Sequence, residues 1–134
     1  MQLILHRVNT INLLKVTPRE LGVEIDIRSS DGNLIIHHEP FSKGQNLEEW
    51  LSEFQHGTLI LNVKEEGLEE PVLRLMEKYN INDFFFLDQS FPFLKKTASI
   101  GEKRCAVRVS EYEDIKTAFS LAGQINWVWV DCFN

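Results

Sequence analysis

The sequence predicts an α/β fold in which helices cover a parallel sheet. Short apolar runs alternate with amphipathic segments six times along the 134 residues, and no linker, low-complexity tract or block of like charges interrupts them. Strands that alternate with helices usually lie parallel, because each helix returns the chain to the end of the sheet at which the previous strand began. We therefore expect a single domain over residues 1–134, which is long enough to bury a core.

Six apolar runs supply the predicted strands, and they are short and rich in β-branched or aromatic residues. In chain order they cover 3–6, 23–28, 58–64, 83–88, 104–110 and 126–131. The dipeptide Asp31-Gly32 follows the second strand and favours a tight turn of the kind that joins two antiparallel strands. We therefore expect a hairpin that extends the second strand through residues 33–39.

The segments between the strands carry apolar residues at helical spacing. Residues 9–22 predict a helix with a short second turn, which Thr17 would cap and Pro18 would begin. Residues 90–97 predict a short helix or turn, and residues 111–123 predict a helix that ends at Gly123. Two further helices are marked by one-sided apolar sets: Leu47, Trp50, Leu51 and Phe54 in the first, and Leu68, Val72, Leu75, Met76 and Tyr79 in the second.

The overall composition is that of an ordinary soluble globular protein, with 43% apolar and 25% charged residues. A net charge of −6 argues against general nucleic-acid binding, which normally needs a basic patch. The apolar run after Met1 is too short for a signal peptide or a membrane span, so we expect a cytoplasmic protein without a stable membrane anchor. Cys105 and Cys132 lie in apolar runs, and we expect both to be reduced core residues.

Polar or charged side chains stand near the carboxyl end of every predicted strand. They are His6, Arg7, Glu24, Asp26, Asn62, Lys64, Asp88, Arg108 and Asp131. In a (β/α)₈ barrel these ends form one rim, where active sites are built, whereas in an open doubly wound sheet they spread along a line. The pattern favours the barrel, although a complete barrel has eight strands and typically about 250 residues.

Glu24 and Asp26 are spaced i, i+2 on one strand, so their carboxylates share a face. A solvated strand face, or ion pairs with Lys or Arg, would explain a lone pair of acids. A parallel strand covered on both sides has no solvated face, however, and two like charges there need a cation. Hard cations such as Mg²⁺ and Ca²⁺ prefer carboxylate and amide oxygens, and Asn62 offers one more oxygen from the next parallel strand.

Histidines and cations occupy the neighbouring strand ends. His6 ends the first strand, and His37 and His38 end the hairpin that grows from the acid-bearing strand. Adjacent residues of an extended segment point to opposite sides, and we expect His38 to face the site. Two histidines can act as general base and general acid, while Arg7 and Lys64 can hold a phosphoryl group. Together these groups favour cleavage of a small phosphodiester.

The same motifs resemble those of the glycerophosphodiester phosphodiesterase family. That family has "HR" after strand one, "E-x-D" on strand two, "HD" after an acidic-glycine turn, and "E-x-K" or "D-x-K" on strand three. The corresponding residues here are His6-Arg7, Glu24-Ile25-Asp26, His38-Glu39 after Asp31-Gly32, and Asn62-Val63-Lys64. The resemblance covers strands one to three well, and strands four to six only in architecture.

The resemblance implies a TIM-barrel-type α/β fold of the PLC-like phosphodiesterase superfamily. It also implies a divalent metal, Mg²⁺ or Ca²⁺, held by Glu24, Asp26 and the third ligand position, which is Asn62 here. His6 and His38 would be the acid–base pair, and Arg7 and Lys64 would bind the substrate phosphate. In such enzymes a neighbouring hydroxyl of the substrate can attack phosphorus before water completes hydrolysis.

Several departures from the family pattern separate this chain from it. Val8 replaces the glycine that follows "HR", a shortened "NTINLL" replaces "PENT", Glu39 replaces an aspartate, and Asn62 replaces a carboxylate. The last two strands of the barrel are missing, which would leave two open sheet edges. Either the chain is a fragment, or another copy fills the gap, or the barrel is an unusual incomplete one. Of these we expect an incomplete barrel that forms a homo-oligomer to cover the edges.

Two alternative functions remain open from the sequence. One is a catalytically weak or inactive barrel relative that binds a phosphorylated ligand or serves as an assembly partner, which Asn62 and the missing strands favour. The other is an open-sheet module that binds phosphate.

Overall fold

A computed structural model describes residues 1–134, which form eight strands and five helices. The strands are β1 (Ile4–Leu5), β2 (Gly22–Ser30), β3 (Asn33–Ile36), β4 (Gln45–Asn46), β5 (Leu59–Val63), β6 (Phe84–Leu87), β7 (Ala106–Val109) and β8 (Trp127–Val130). The helices are α1 (Ile11–Val16), α2 (Leu47–Ser52), α3 (Glu69–Lys78), α4 (Phe91–Ser99) and α5 (Ile115–Ser120).

Six of the strands run parallel and follow the chain order. β2 pairs with β1 and β5, β5 pairs with β6, and β7 pairs with β8. A parallel bridge between Phe86 and Cys105 joins β6 to β7. The α/β prediction is confirmed, but β1 and β8 do not pair, so the six strands form an open arc and not a closed barrel.

The hairpin predicted from Asp31-Gly32 is present. Both residues have positive φ, 49° for Asp31 and 78° for Gly32, as a two-residue turn between antiparallel strands requires. β3 pairs antiparallel with the carboxyl half of β2, and Ile27 lies opposite Ile36. The chain is thereby returned toward the carboxyl end of the parallel strands, where His37 and His38 follow β3.

The alternation of side chains along the strands separates two apolar clusters. The larger cluster lies between the sheet and the helices, and Trp50 on α2 is its largest fully buried member. The smaller one lies on the concave face of the arc, where Ile60, Phe85, Leu87 and Ala106 meet Ile4 and Trp129. On the same concave face, Glu24 lies opposite Ile60 and Asp26 lies opposite Asn62.

The helices differ from prediction at two ends. The expected short turn after α1 is present over residues 18–21, closed by a backbone hydrogen bond of 3.1 Å. Thr17 does not cap it, because its hydroxyl donates back to the Leu13 carbonyl at 2.8 Å. The residue before a proline avoids the helical region, which accounts for the ψ of 131° at Thr17 before Pro18. α5 ends at Ser120 and not at Gly123. None of the helices is both long and apolar enough to span a membrane.

The two cysteines lie in different environments. Cys105 is buried in the core as expected, whereas Cys132 is exposed, which corrects the expectation that both are core residues. Cys132 lies beyond the last residue of β8, where no helix covers the chain. Burial raises the pKa of the Cys105 thiol to about 12, because the thiolate would lose its hydration.

Candidate active site

A pocket of about 250 Å³ lies at the carboxyl ends of the parallel strands. All seven residues predicted from the sequence line it: His6, Arg7, Glu24, Asp26, His38, Asn62 and Lys64. The remaining lining residues are Leu87, Asp88, Trp129 and Asp131. The strands thus bring the predicted acids, histidines and cations into one concave site.

Glu24 is buried and accepts hydrogen bonds from two sides. The Arg7 backbone N–H donates to Oε2 at 2.7 Å, and the Asn62 amide nitrogen donates to Oε1 at 2.9 Å. His6 Nδ1 lies 3.9 Å from Glu24 Oε2. The carboxylate therefore ties the end of β1 to β5 across the floor of the pocket.

Asp26 is also buried, and Asn9 holds it on both sides. The Asn9 amide nitrogen donates to Asp26 Oδ2 at 2.8 Å, and the Asp26 backbone N–H donates to Asn9 Oδ1 at 3.0 Å. Lys64 Nζ lies 3.3 Å from Asp26 Oδ1. Sequence reasoning missed Asn9, although an amide three residues after His6 was a signal that could have pointed to it.

Asn62 provides the test of whether the pocket suits a divalent cation. Its amide nitrogen is engaged by Glu24, while its Oδ1 is buried and accepts no hydrogen bond. A buried acceptor without a donor is costly, so this oxygen favours a cation or a donor from a ligand. Two carboxylates and one amide oxygen are donors that Mg²⁺ or Ca²⁺ accepts, and the residues therefore fit such an ion.

The charges of the pocket also favour a cation. Of the four carboxylates that line it, those of Asp88 and Asp131 are paired with Arg108. The buried carboxylates of Glu24 and Asp26 have Lys64 as their one lysine or arginine side chain in ion-pair contact, so the excess of negative charge there favours a cation.

His38 makes a contact through each ring nitrogen. Nδ1 lies 2.6 Å from Glu39 Oε1, and Nε2 lies 3.1 Å from Arg7 Nη2. The hydrogen bond to His38 holds the pKa of the Glu39 carboxyl below its usual range. The ionised carboxylate favours a proton on Nδ1, which leaves Nε2 to accept from Arg7.

His37 points away from the pocket, as the alternation along the segment predicts. Its Nδ1 accepts a hydrogen bond from the Glu39 backbone N–H at 2.9 Å, and it does not line the site. His38 is therefore the histidine of the pair that reaches the pocket.

His6 lies against an aromatic residue that sequence reasoning did not assign to the site. Its ring centroid is 5.8 Å from that of Trp129 on β8, at an interplanar angle of 58°. Trp129 on β8, the last strand of the arc, thus reaches toward His6 after β1, the first strand, across the gap between the two unpaired strands. The signal in the sequence was its i, i+2 spacing from Asp131, which places both on one face.

Two lining residues, Arg7 and Asp88, have positive φ, 56° and 58° respectively. Residues other than glycine rarely adopt this backbone conformation, because it brings the Cβ close to the backbone. It costs roughly 1–3 kcal/mol per residue. At Arg7 the conformation coincides with the hydrogen bond from its backbone N–H to Glu24. Such strain clusters at functional sites, which supports a functional role for this end of the strands.

A second set of ion pairs follows the rim. Lys64 Nζ lies 3.9 Å from Asp88 Oδ2, so Lys64 stands between Asp26 and Asp88. Arg108 Nη1 lies 3.3 Å from Asp88 Oδ1 and 3.7 Å from Asp131 Oδ2. Arg108 on β7 does not line the pocket and links the acids that follow β6 and β8.

No protein-family model and no curated protein matches the sequence. Among solved structures, the chain is similar to a protein of Agrobacterium tumefaciens strain C58 that is provisionally named a glycerophosphoryl diester phosphodiesterase. The TM-score is 0.72 at 14% identity, and the similarity covers 97% of this chain and 75% of that chain. The comparison shows that the chain shares the α/β fold of that protein over nearly its whole length.

Proposed function

We propose that this protein is a phosphoric diester hydrolase of the glycerophosphodiester phosphodiesterase type. The observation that carries the proposal is the meeting of two histidines, two cations and two buried carboxylates in one pocket at the strand ends. The fold shared with a protein named for this activity supports the same reaction class. Fold likeness alone would not assign a reaction, and the proposal depends on the site.

Glu24, Asp26 and Asn62 would hold a divalent ion, which when bound would withdraw charge from the phosphoryl oxygens and acidify a nearby hydroxyl. The protein's own residues hold these ligands in place. Asn9 orients Asp26, and the Arg7 backbone N–H orients Glu24.

Arg7 and Lys64 are the groups that would bind the phosphate. The Arg7 guanidinium lies 3.1 Å from His38 Nε2, and the Lys64 ammonium lies 3.3 Å from Asp26 Oδ1. A phosphate bound by both cations would therefore lie near His38 and near the residues that would hold the ion. Arg can pair with two phosphate oxygens at once, whereas Lys acts as a compact charge.

His6 and His38 would carry the two proton transfers. One imidazole accepts the proton of the attacking hydroxyl as its oxygen forms a bond to phosphorus, and the other donates a proton to the departing alkoxide as its phosphorus–oxygen bond breaks. The neutral Nδ1–H form of His38, set by Glu39, suits the acceptor. His6 then suits the donor, and water attack with the roles reversed would complete hydrolysis.

A second candidate function is that of a catalytically inactive relative that binds a phosphorylated ligand. Asn62 favours it, because a ligand set with one fewer negative charge binds a divalent ion more weakly. The Asp26–Lys64 contact favours it too, since Lys64 already offsets one of the buried charges.

A chromogenic phosphodiester, assayed with Mg²⁺, Ca²⁺ or Mn²⁺, separates the two functions. We expect wild-type turnover that EDTA, His6→Ala and Glu24→Ala each abolish. His56→Ala is the matched control, since His56 contacts the Thr17 carbonyl away from the pocket, and its activity should persist. Turnover that survives EDTA and both site substitutions would overturn the hydrolase proposal, while metal binding without turnover would favour the binding function.

A further inference from the structure

His38 lies in a segment that has few interactions of its own. Residues 37–44 connect β3 to β4 without helix or strand, and Phe41 in this segment is fully exposed with a φ of 58°. The backbone hydrogen bond from His37 N–H to the Asp26 carbonyl, 2.9 Å long, holds the start of the segment. After this bond, side-chain contacts fix the position of His38.

Arg28 supplies the next attachment. Its Nε and Nη2 both donate to the His38 carbonyl oxygen, at 3.1 Å and 2.8 Å. Arg28 belongs to β2 and pairs with Ile35 in the hairpin, so its backbone is fixed by the sheet. The two bonds therefore attach the His38 backbone to the strand that also carries Glu24 and Asp26.

The planar guanidinium makes this attachment directional. Two donors of one rigid group meet a single carbonyl oxygen, which restrains both the distance and the angle of the peptide. With the carbonyl restrained and Nδ1 engaged by Glu39, Nε2 is turned toward Arg7 and the pocket. Arg28 itself does not line the pocket.

We propose that Arg28 is a positioning residue for His38. It holds the His38 carbonyl through a two-donor contact, so that the Nε2 of His38 faces the substrate phosphate. The inference rests on the proposed function for its catalytic consequence, but the contact is a property of the fold and has its own measurement. No part of the sequence pattern assigned a role to Arg28.

Loss of Arg28 should affect turnover more than substrate binding. The phosphate contacts of Arg7 and Lys64 and the ligand set for the ion do not involve Arg28. A misplaced His38 would slow proton transfer, because general acid–base catalysis requires the donor and acceptor to be within hydrogen-bond reach. We expect kcat to fall about tenfold to a hundredfold in Arg28→Ala, within the range for one misplaced acid–base group, with KM changed less than about twofold.

The experiment compares Arg28→Ala and Arg28→Lys with Arg74→Ala as the matched control. Arg74 is an exposed arginine on α3 that pairs with Glu70 and lies outside the pocket. Arg28→Lys keeps the charge but loses the two-donor geometry, so we expect an intermediate kcat. Added guanidinium ion should restore part of the activity of Arg28→Ala. Arg74→Ala should have the activity of the wild type, and guanidinium ion should not raise it.

A backbone measurement decides the proposal independently of turnover. The ¹⁵N heteronuclear NOE of the His38 and Glu39 amides should fall in Arg28→Ala and stay at the wild-type value in Arg74→Ala. An unchanged NOE, or an unchanged kcat in an active enzyme, would overturn the positioning role. If the wild type hydrolyses no diester, the proposed function fails, and the NOE alone decides whether Arg28 orders the segment.

Discussion

Asn62 differs from the other acceptors on the pocket floor because its side-chain oxygen has no donor. All four carboxylate oxygens of Glu24 and Asp26 already have a partner, namely the Arg7 N–H, the two amides of Asn62 and Asn9, and the Lys64 ammonium. Only Asn62 Oδ1 is left among these buried groups. At the scale of the residue, Asn62 Oδ1 is therefore the acceptor on the pocket floor that no protein donor satisfies.

Asn62→Asp should strengthen binding of a divalent ion, because it adds a charge at the unpartnered oxygen. We expect the dissociation constant for Mn²⁺ or Ca²⁺ to fall on the order of tenfold by isothermal titration calorimetry, a modest effect for a unit charge in contact with the ion. Asn82→Asp, an exposed substitution with the same charge change, is the control. Equal affinities of wild type and Asn62→Asp would contradict the placement of the ion at this residue.

The two cysteines should react at very different rates. With a pKa of about 12, Cys105 has almost no thiolate at pH 8, whereas Cys132 is exposed. Iodoacetamide at pH 8 should therefore label Cys132 and leave Cys105 unlabelled in the folded protein, as intact mass and peptide mapping would show. Labelling of Cys105 at the rate of Cys132 would contradict its burial.

The same burial predicts the sign of a pH effect on stability. Because the folded pKa of Cys105 lies above the value in the unfolded chain, its contribution to stability is complete below the unfolded pKa, near 8.5, and is lost as pH rises toward 12. Urea unfolding of wild type and Cys105→Ser between pH 8 and pH 10.5 should show a steeper loss for the wild type. If the free energy of unfolding changed with pH equally in the two proteins, burial of the Cys105 thiol would not be the cause of the pH effect.

At the scale of the element, the hairpin after β2 determines where His38 lies. Its turn needs positive φ at Asp31 and Gly32, and the pairing of β2 with β3 follows from it. A slip of one residue would turn His38 away from the pocket and bring His37 toward it, since alternate residues face opposite sides. The residues of the turn and the position of His38 in the pocket are linked here.

Gly32→Ala should therefore weaken the fold by about 1 kcal/mol through backbone strain alone. A Cβ at Gly32 would meet no atom within 4 Å, so steric overlap does not contribute. Urea unfolding measures the loss, and Ser30→Ala, just before the turn, is the control because its hydroxyl makes no hydrogen bond. Equal stabilities of Gly32→Ala and wild type would contradict the turn geometry.

The sequence was most informative about elements whose signal is local. Strand alternation predicted the six parallel strands, and the i, i+2 spacing of Glu24 and Asp26 predicted that they share a face. Asn9, Trp129 and Arg28 were missed, because their roles arise from contacts between residues that are distant in the chain. The turn expected at Pro18 formed, but Thr17 does not cap it, since its hydroxyl bonds back to the Leu13 carbonyl in α1.

At the scale of the whole molecule, the open arc leaves β8 with one unpaired edge and an apolar surface beside it. Phe119 on α5 and Val128 and Val130 on β8 are 70%, 51% and 78% exposed. An unpaired strand next to exposed apolar side chains is a site of association unless another element covers it. The prediction that copies of this chain associate through their open edges remains a proposal, and it has a direct test.

Light scattering should show a dimer or larger assembly for the wild type at micromolar concentration. A Val128→Lys, Val130→Lys double variant should shift the protein to monomer, because two charges would be buried in the interface. Ile100→Lys places one charge on an exposed residue elsewhere and should leave the assembly intact. A wild-type monomer over the whole concentration range would contradict association.

Hydrolysis at this pocket can be followed by ³¹P NMR of a glycerophosphodiester incubated with the protein and Mg²⁺. We expect the diester resonance to be replaced by a phosphomonoester resonance with the wild type, and His38→Ala to leave the diester intact. His37→Ala, which changes the neighbouring histidine outside the pocket, should retain turnover. A diester that persists with the wild type, or a monoester that forms equally with His38→Ala, would contradict the assignment of this pocket as a phosphodiesterase site.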